Sequence, residues 1–162
     1  MSTTDSAKAG RPAHIQAKVN GLADRKVVKA LYKASRKGVK VDLIVRSICT
    51  LRPGVEGLSD RIHVRSILGR FLEHARILYF ENAGQGEYYI GSADWRARNL
   101  RRRVEVMTPV DDPAARAVLR AVLDRQLDDP RAWVLRSDGV FERLRGEGLT
   151  SQQYFMNTGG GV

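Results

Sequence analysis

This sequence has little cysteine and no long apolar run. Its 162 residues include one cysteine, Cys49, which excludes an internal disulfide and a cysteine-based metal cluster. No apolar run approaches the roughly 20 residues that a membrane-spanning helix needs. The first twelve residues, MSTTDSAKAGRP, lack the apolar core of a secretory signal peptide. We therefore expect a cytoplasmic protein without a transmembrane segment.

Acidic residues are also scarce relative to basic ones. The chain has 18 Asp and Glu against 28 Lys and Arg, a formal net charge of +10. Such a charge favours polyanions such as nucleic acid, acidic membrane or polyphosphate. All lysines lie in the first forty residues, and the strong bases beyond them are arginines, whose forked donors match phosphate oxygens. The length suits one domain, which can bury roughly 68–70 % of its unfolded surface.

The order of the predicted elements indicates an α/β fold. Strands are predicted over residues 14–19, 39–46, 61–67, 75–80, 87–92 and 104–110, the last of them as a core strand. Helices are predicted over residues 24–37 and 111–127, and a small hairpin over 133–144. The first strand, helix and strand make a right-handed βαβ unit. We predict a flexible lead (1–12), a domain (13–145) and a disordered tail (146–162).

Basic side chains stand where two neighbouring predicted strands end. Lys18 and Asn20 end the first strand, and Arg46 directly follows the apolar run DLIV. Because ligands of open α/β sheets bind beyond the carboxyl ends of the strands, Lys18 and Arg46 are candidate phosphate ligands. The alternative is a solvated base at a strand end.

Histidine, arginine and a Gly-Ser turn are the candidate catalytic groups. His74 and Arg76 share one face at the start of a strand, where His74 can move a proton and Arg76 can neutralise phosphate charge. Gly91–Asp94 ends the next strand, where the Ser92 hydroxyl and backbone N–H groups can cradle an oxyanion. Asp94 would repel phosphate unless it pairs with a base, and the alternative is that it orients His74 or Arg76. A capping histidine beside an exposed arginine is the alternative.

Two further basic clusters are candidate anion contacts. The first is a run of arginines after Trp95, at positions 96, 98, 101, 102 and 103. Because like charges so close together repel one another, a bound anion would reduce the repulsion within this run. The second is a lysine stripe at helical spacing, Lys26, Lys29, Lys33 and Lys37. Both clusters are also compatible with a plain solvated surface.

Three blocks in this order resemble the C-terminal domain of type 1 polyphosphate kinase: DLIVRSICTLRPG, GRFLEHARILYF and GSADWRARNLRRRVE. The resemblance covers about residues 10–144. It implies a phospholipase D-like mixed sheet flanked by helices, with one half-site only. In that superfamily each half carries His-x-Lys and Gly-Ser-x-Asn, so Arg76 takes the lysine position and Asp94 the asparagine position. Glu81 falls where the superfamily often has aspartate.

The resemblance also implies an activity and its ligands. The family transfers the terminal phosphoryl group of ATP to polyphosphate through a phosphohistidine, with Mg²⁺, and also runs in reverse. Arg46 and His74 match family residues implicated in nucleotide binding, with His74 as an assisting histidine. The phosphorylated histidine belongs to a preceding domain that this sequence does not contain. We therefore expect a chain that is incomplete on its own and needs a partner chain with the missing domains.

Three functional hypotheses follow from these residues. In the first, the chain is a polyphosphate kinase domain in which the groups that bind ATP, ADP or polyphosphate are Arg46, Arg76, Ser92, Lys18, Arg98, Arg102 and Arg103, with His74 as helper and no metal ligand of its own. In the second, it is a non-catalytic polyanion-binding module. In the third, it is a phospholipase D-like phosphodiesterase whose half-sites meet in a homodimer.

Overall fold

A computed structural model describes residues 3, 7 and 12–159 of the chain. The described elements, in chain order, are β1 (Ala13–Val19), α1 (Arg25–Arg36), β2 (Lys40–Val45), β3 (Ile62–Ser66), β4 (Ile77–Asn82), β5 (Gln85–Gly91), α2 (Ala97–Arg102), β6 (Met107–Val110), α3 (Pro113–Leu127), β7 (Trp133–Leu135), β8 (Phe141–Arg143) and α4 (Ser151–Asn157). None of the described helices is long and apolar enough to cross a membrane. The predicted flexible lead lies outside the described residues, apart from positions 3, 7 and 12.

The strands form one mixed sheet of eight strands in the order β6-β5-β4-β1-β2-β3-β7-β8. β1, β2 and β3 are parallel, and every other pairing is antiparallel. β1, α1 and β2 therefore form the predicted βαβ unit, with β1 and β2 as neighbours. The predicted mixed sheet with flanking helices is confirmed.

One face of the sheet packs against α1. The side chain of Asp24 starts this helix by accepting hydrogen bonds from the backbone N–H groups of Lys26 and Val27, at 2.9 and 3.1 Å. Gly38, with a φ of +89°, follows its end. The apolar stripe of α1 covers alternate residues of the central strands in a core of Ile15, Ala17, Val19, Val28, Leu31, Ala34, Val41, Leu43, Val45, Ile62 and Val64.

The opposite face packs against α3 and is more polar. Leu123 of α3 is fully buried against Ile44, Ile77 and Tyr79. Arg120 lies over the Tyr79 ring, 4.1 Å from its centroid, and donates to Oε1 of Gln16 at 2.6 Å. A cation–π contact and a half-buried hydrogen bond therefore hold α3 against the sheet, beside the apolar cluster around Leu123.

Two predictions about the later part of the chain are wrong. The predicted core strand is an edge strand, β6, and Val104 and Val106 before it are 98 % and 62 % exposed. The predicted disordered tail contains α4, which begins with a capping box at Thr150 and Gln153. The Ser151 hydroxyl donates to Asp129 at 2.7 Å, so this helix is fixed to the domain by buried polar contacts.

Candidate functional site

Four strands end or begin at one edge of the sheet, the edge formed by strand ends rather than by an outermost strand. β1 and β2 run parallel and end side by side at Val19 and Val45. β4 starts at the same edge, with Ile77 opposite Lys18, and β5 ends there, with Ile90 opposite Ile77. We call this edge the rim and define it by residues 18–20, 46, 74–76 and 91–94.

A buried carboxylate forms the centre of the rim. Asp94 is 6 % exposed and accepts two hydrogen bonds from Arg76, Nε to Oδ1 at 3.3 Å and Nη2 to Oδ2 at 3.1 Å. The backbone N–H groups of Asn20 and Gly21 also donate to Oδ1, at 2.7 and 3.3 Å. Burial opposes ionisation of Asp94, but these partners outweigh it and hold the pKa of the carboxyl below its usual range. Asp94 therefore pairs with Arg76, which compensates its negative charge within the rim.

Arg76 also contacts His74. Its Nη1 lies 3.1 Å from Nδ1 and 3.4 Å from Nε2 of the imidazole, and it donates to the His74 carbonyl oxygen at 3.0 Å. Because Nη1 is close to both ring nitrogens, the guanidinium group packs against the face of the imidazole. The His74 residue is exposed, so its imidazole is accessible to a ligand.

Arg46 joins the same network from β2. Its Nε donates to Oδ1 of Asn20 at 3.0 Å, and the backbone N–H of Asn20 donates to Asp94. The rim thus contains a continuous chain of contacts from Arg46 through Asn20, Asp94 and Arg76 to His74. Nδ2 of Asn20 is buried and has no hydrogen-bond partner among the described residues. The structure therefore brings Arg46, Arg76 and His74 together, as the strand ends predict.

Ser92 does not form the predicted oxyanion cradle in this structure. Its hydroxyl donates to the Glu105 carboxylate and accepts from the Val106 N–H at 3.2 Å, while its own N–H donates to the Val106 carbonyl at 3.0 Å. The second Glu105 oxygen accepts from Asn99 at 2.7 Å. The Ser92 hydroxyl and then Asn99 hold the pKa of Glu105 below its usual range. Glu105 and Val106 occupy the hydrogen-bonding groups of Ser92, so an anion would have to displace Glu105 to bind the hydroxyl.

Lys18 is at the rim but its ammonium group is enclosed. The side chain is 3 % exposed, and Nζ donates to the Glu73 carboxylate at 2.7 Å. Gln126 and Gln152 donate to the same carboxylate at 2.8 and 2.9 Å. Burial lowers the pKa of Lys18, and the Glu73 contact offsets only part of that effect. This geometry favours a structural role for Lys18 over the predicted contact with phosphate.

The arginines of the α2 region point to several partners. Arg101 forms an ion pair with Asp24 at 2.5 Å, and Nε of Arg103 lies 4.0 Å from Glu105. Arg98 and Arg102 are exposed, and neither forms an ion pair or side-chain hydrogen bond with any described residue. Within this arginine run, Arg98 and Arg102 are therefore predicted anion contacts without a protein partner among the described residues.

Sequence reasoning did not identify several partners of these groups. Glu73, Asn99 and Glu105 carry no motif, because their roles come from side chains distant in sequence. Glu81 lies at the other end of β4, opposite His14, so it is remote from the rim. For Glu73, Asn99 and Glu105 the only available signal was their position inside the family-like blocks.

The described residues do not fit a magnesium site at the rim. Magnesium is usually held by one or two carboxylates together with substrate phosphates. The nearby carboxylates, Asp94, Glu105 and Glu73, each accept hydrogen bonds from protein groups, and no group of three or more described His, Cys, Asp or Glu residues is arranged to hold a metal. These three carboxylates are therefore engaged by protein donors.

Comparisons of the sequence and the fold with known proteins identify what this chain is similar to. The family model for polyphosphate kinase C-terminal domain 2 matches residues 1–153. The polyphosphate kinase of Thermosynechococcus vestitus is 56 % identical over 140 residues, which are 86 % of this chain and 19 % of that protein. A crystal structure of the Porphyromonas gingivalis polyphosphate kinase has a TM-score of 0.91 and 36 % identity, covering 97 % of this chain and 25 % of that one.

A more distant structural match shows the fold alone. Nuc from Salmonella typhimurium, a phospholipase D family member, has a TM-score of 0.53 and 14 % identity, with 89 % of both chains covered. The chain spans about a fifth of the length of the curated relatives it matches.

Proposed function

Because this chain belongs to the polyphosphate kinase family, as its C-terminal domain 2, we propose that its rim is half of a phosphoryl-transfer site for ATP and polyphosphate. The observation that carries the proposal is the continuous set of contacts from Arg46 to His74. It assembles an exposed imidazole and two guanidinium groups from residues remote in sequence. Nothing about a plain solvated sheet edge requires such an arrangement.

Each member of the network has a distinct role in this proposal. The charge of Arg76 is matched by Asp94, so Arg76 serves chiefly to orient the His74 ring. The exposed imidazole of His74 donates a proton to a phosphoryl oxygen and stabilises the charge that develops there. Arg46, held at Nε by Asn20, has both Nη groups without a partner among the described residues and binds phosphate oxygens in two-pronged fashion.

The outer part of the site follows from exposure. Arg98 and Arg102 supply further anion contacts at α2, and Arg103 joins them when it leaves Glu105. The histidine that carries the phosphoryl group is contributed by another polypeptide segment, as the family resemblance implies. The chain alone therefore binds ATP or polyphosphate but does not turn them over.

A complementation assay tests the proposal. The pure protein is mixed with ATP, Mg²⁺ and polyphosphate, with and without a polyphosphate kinase fragment that lacks its own C-terminal domain 2. We expect turnover only in the mixture and a loss of about 100-fold or more for His74→Ala. His63→Ala is the matched control, since His63 is an exposed histidine on β3 that pairs with Asp42 away from the rim. Full activity of His74→Ala in the mixture would refute the assigned role.

The formal charge of +10 also favours the non-catalytic polyanion module. That function predicts equal affinity for DNA and polyphosphate at matched charge, with binding that weakens as salt rises and no turnover in the mixture. The phosphodiesterase hypothesis has support only from the fold.

A further inference from the structure

The outer face of α1 carries a dense and unbalanced positive charge. Five of its twelve residues are bases, and it contains no Asp or Glu: Arg25, Lys26, Lys29, Lys33 and Arg36. All five are exposed. Four of the chain's seven lysines lie between residues 25 and 37. The positive charge is therefore concentrated on this face.

Part of this face is concave. A groove of about 510 Å³ lies between α1 and Leu58, and its lining is Lys29, Tyr32, Lys33, Arg36, Lys37 and Leu58. Four of these six residues are cationic and none is acidic. A depression with that lining is electrostatically suited to an anion.

The helix dipole favours Lys33 and Arg36 in the last turn, but it does not account for the bases nearer the start of the helix. Arg25 and Lys26 occupy the first turn, where the helix dipole favours acidic side chains. Lys29 and Lys33 are four residues apart, a spacing at which like charges repel on a helix. A bound polyanion would turn both unfavourable terms into favourable ones.

The α1 face is continuous with the rim. Asp24, which caps α1, pairs with Arg101 of α2, so the basic α2 segment adjoins the first turn of α1. Asn20 of the rim precedes this cap by four residues. From there α1 extends for about 18 Å, the length of twelve helical residues.

We propose that the outer face of α1, from Arg25 to the groove at Lys29, Lys33 and Arg36, is a docking surface for the polyphosphate chain beyond the reacting end. This inference rests on the proposed function of the rim. Polyphosphate is the favoured occupant because it is a uniform polyanion. A surface that binds it has to supply only positive charge over a sufficient length. The groove has one aromatic residue, Tyr32, whose hydroxyl accepts from the Arg52 N–H, and so it lacks a platform for stacking bases.

The test compares two triple variants with equal charge changes. Lys29→Gln/Lys33→Gln/Arg36→Gln removes three bases from the groove. Arg131→Gln/Arg143→Gln/Arg145→Gln removes three exposed bases around the β7–β8 hairpin. Affinities for tripolyphosphate, long-chain polyphosphate and single-stranded DNA are measured by calorimetry over a range of salt concentrations, and circular dichroism verifies folding. Arg46→Gln, measured beside them, reports on the rim.

We expect the groove variant to lose about 10- to 100-fold in affinity for long-chain polyphosphate at 0.1 M salt, with a salt slope lower by about two. Its affinity for tripolyphosphate, which the rim holds, stays unchanged, and the hairpin variant behaves like the wild type. An equal loss in the hairpin variant, or no loss in the groove variant, overturns the proposal. An equal loss for DNA overturns the choice of polyphosphate. If only the rim hypothesis fails, Arg46→Gln changes nothing while the groove effect persists.

Discussion

The buried Lys18–Glu73 pair gives a sharp test of how the rim is supported. Glu73→Gln would leave the Lys18 ammonium, 3 % exposed, without its carboxylate. Removing one partner of a buried ion pair costs about 3–5 kcal/mol of unfolding free energy. Lys18→Met should cost less, about 1–3 kcal/mol, because Glu73 is 16 % exposed and keeps its hydrogen bonds from Gln126 and Gln152.

The double variant Lys18→Met/Glu73→Gln removes both charges together. We expect it to lie within about 1 kcal/mol of the wild type, which makes the coupling energy about 3 kcal/mol or more. Urea unfolding at neutral pH, followed by the fluorescence of Trp95 and Trp133, measures all four proteins. A cost below about 1 kcal/mol for Glu73→Gln, with additive single variants, would refute the idea of a structural buried pair.

The same variants decide the role of Lys18 in binding. If the ammonium is only structural, the double variant binds tripolyphosphate as the wild type does. A tenfold or larger loss of binding in a stable double variant would show that Lys18 contacts phosphate, as the sequence predicts.

Three further outcomes are expected. Leu123→Ala, in the fully buried contact of α3, should lower the unfolding free energy by about 2–5 kcal/mol in urea titrations, while Val118→Ala on the exposed side of α3 changes it by less than about 0.5 kcal/mol. Gly91→Ala should loosen the β5–β6 pairing, seen as faster amide exchange in β6, because its Cβ would lie 2.2 Å from the Val106 carbonyl oxygen. Burial opposes ionisation of Asp42, but two histidines and a lysine outweigh it and lower its pKa from 3.8, so its contribution is complete above that pH and is lost as pH falls below it. Urea midpoints between about pH 5 and pH 2 should therefore fall less steeply for Asp42→Asn, and equal slopes would contradict this assignment.

Local patterns were sufficient for the centre of the fold. The run VKVDLIV, a helix stripe capped by Asp24 and a strand before it define the βαβ unit, because both faces of these strands are covered by apolar groups. The rim followed from the same assignment, since parallel strands end at one edge. That rule places Lys18 and Arg46 at the rim, whereas His74 and Arg76 reach it because β4 is antiparallel to β1 and begins there, in a mixed sheet that the family resemblance implies.

Other parts of the structure could not be predicted because they depend on contacts between segments that are distant in sequence. The residues 104–110 alternate like a core strand, but no helix covers them, so β6 lies at the edge. Ser92 fits an oxyanion turn, yet Glu105 from the following segment takes its hydroxyl. α4 was missed because its stability comes from a capping box and from Asp129, and neither shows as an apolar stripe.

The margin of the sheet at β6 has a consequence for behaviour at high concentration. β6 has only four residues, and Pro109 within it offers no backbone donor. Another copy of the chain could pair only with a short row of unpaired backbone N–H and C=O groups along β6, and the proline interrupts that row. Edge-to-edge growth into fibrils requires an unbroken ladder, so this outer strand protects the protein against it even though the flanking valines are bare to solvent.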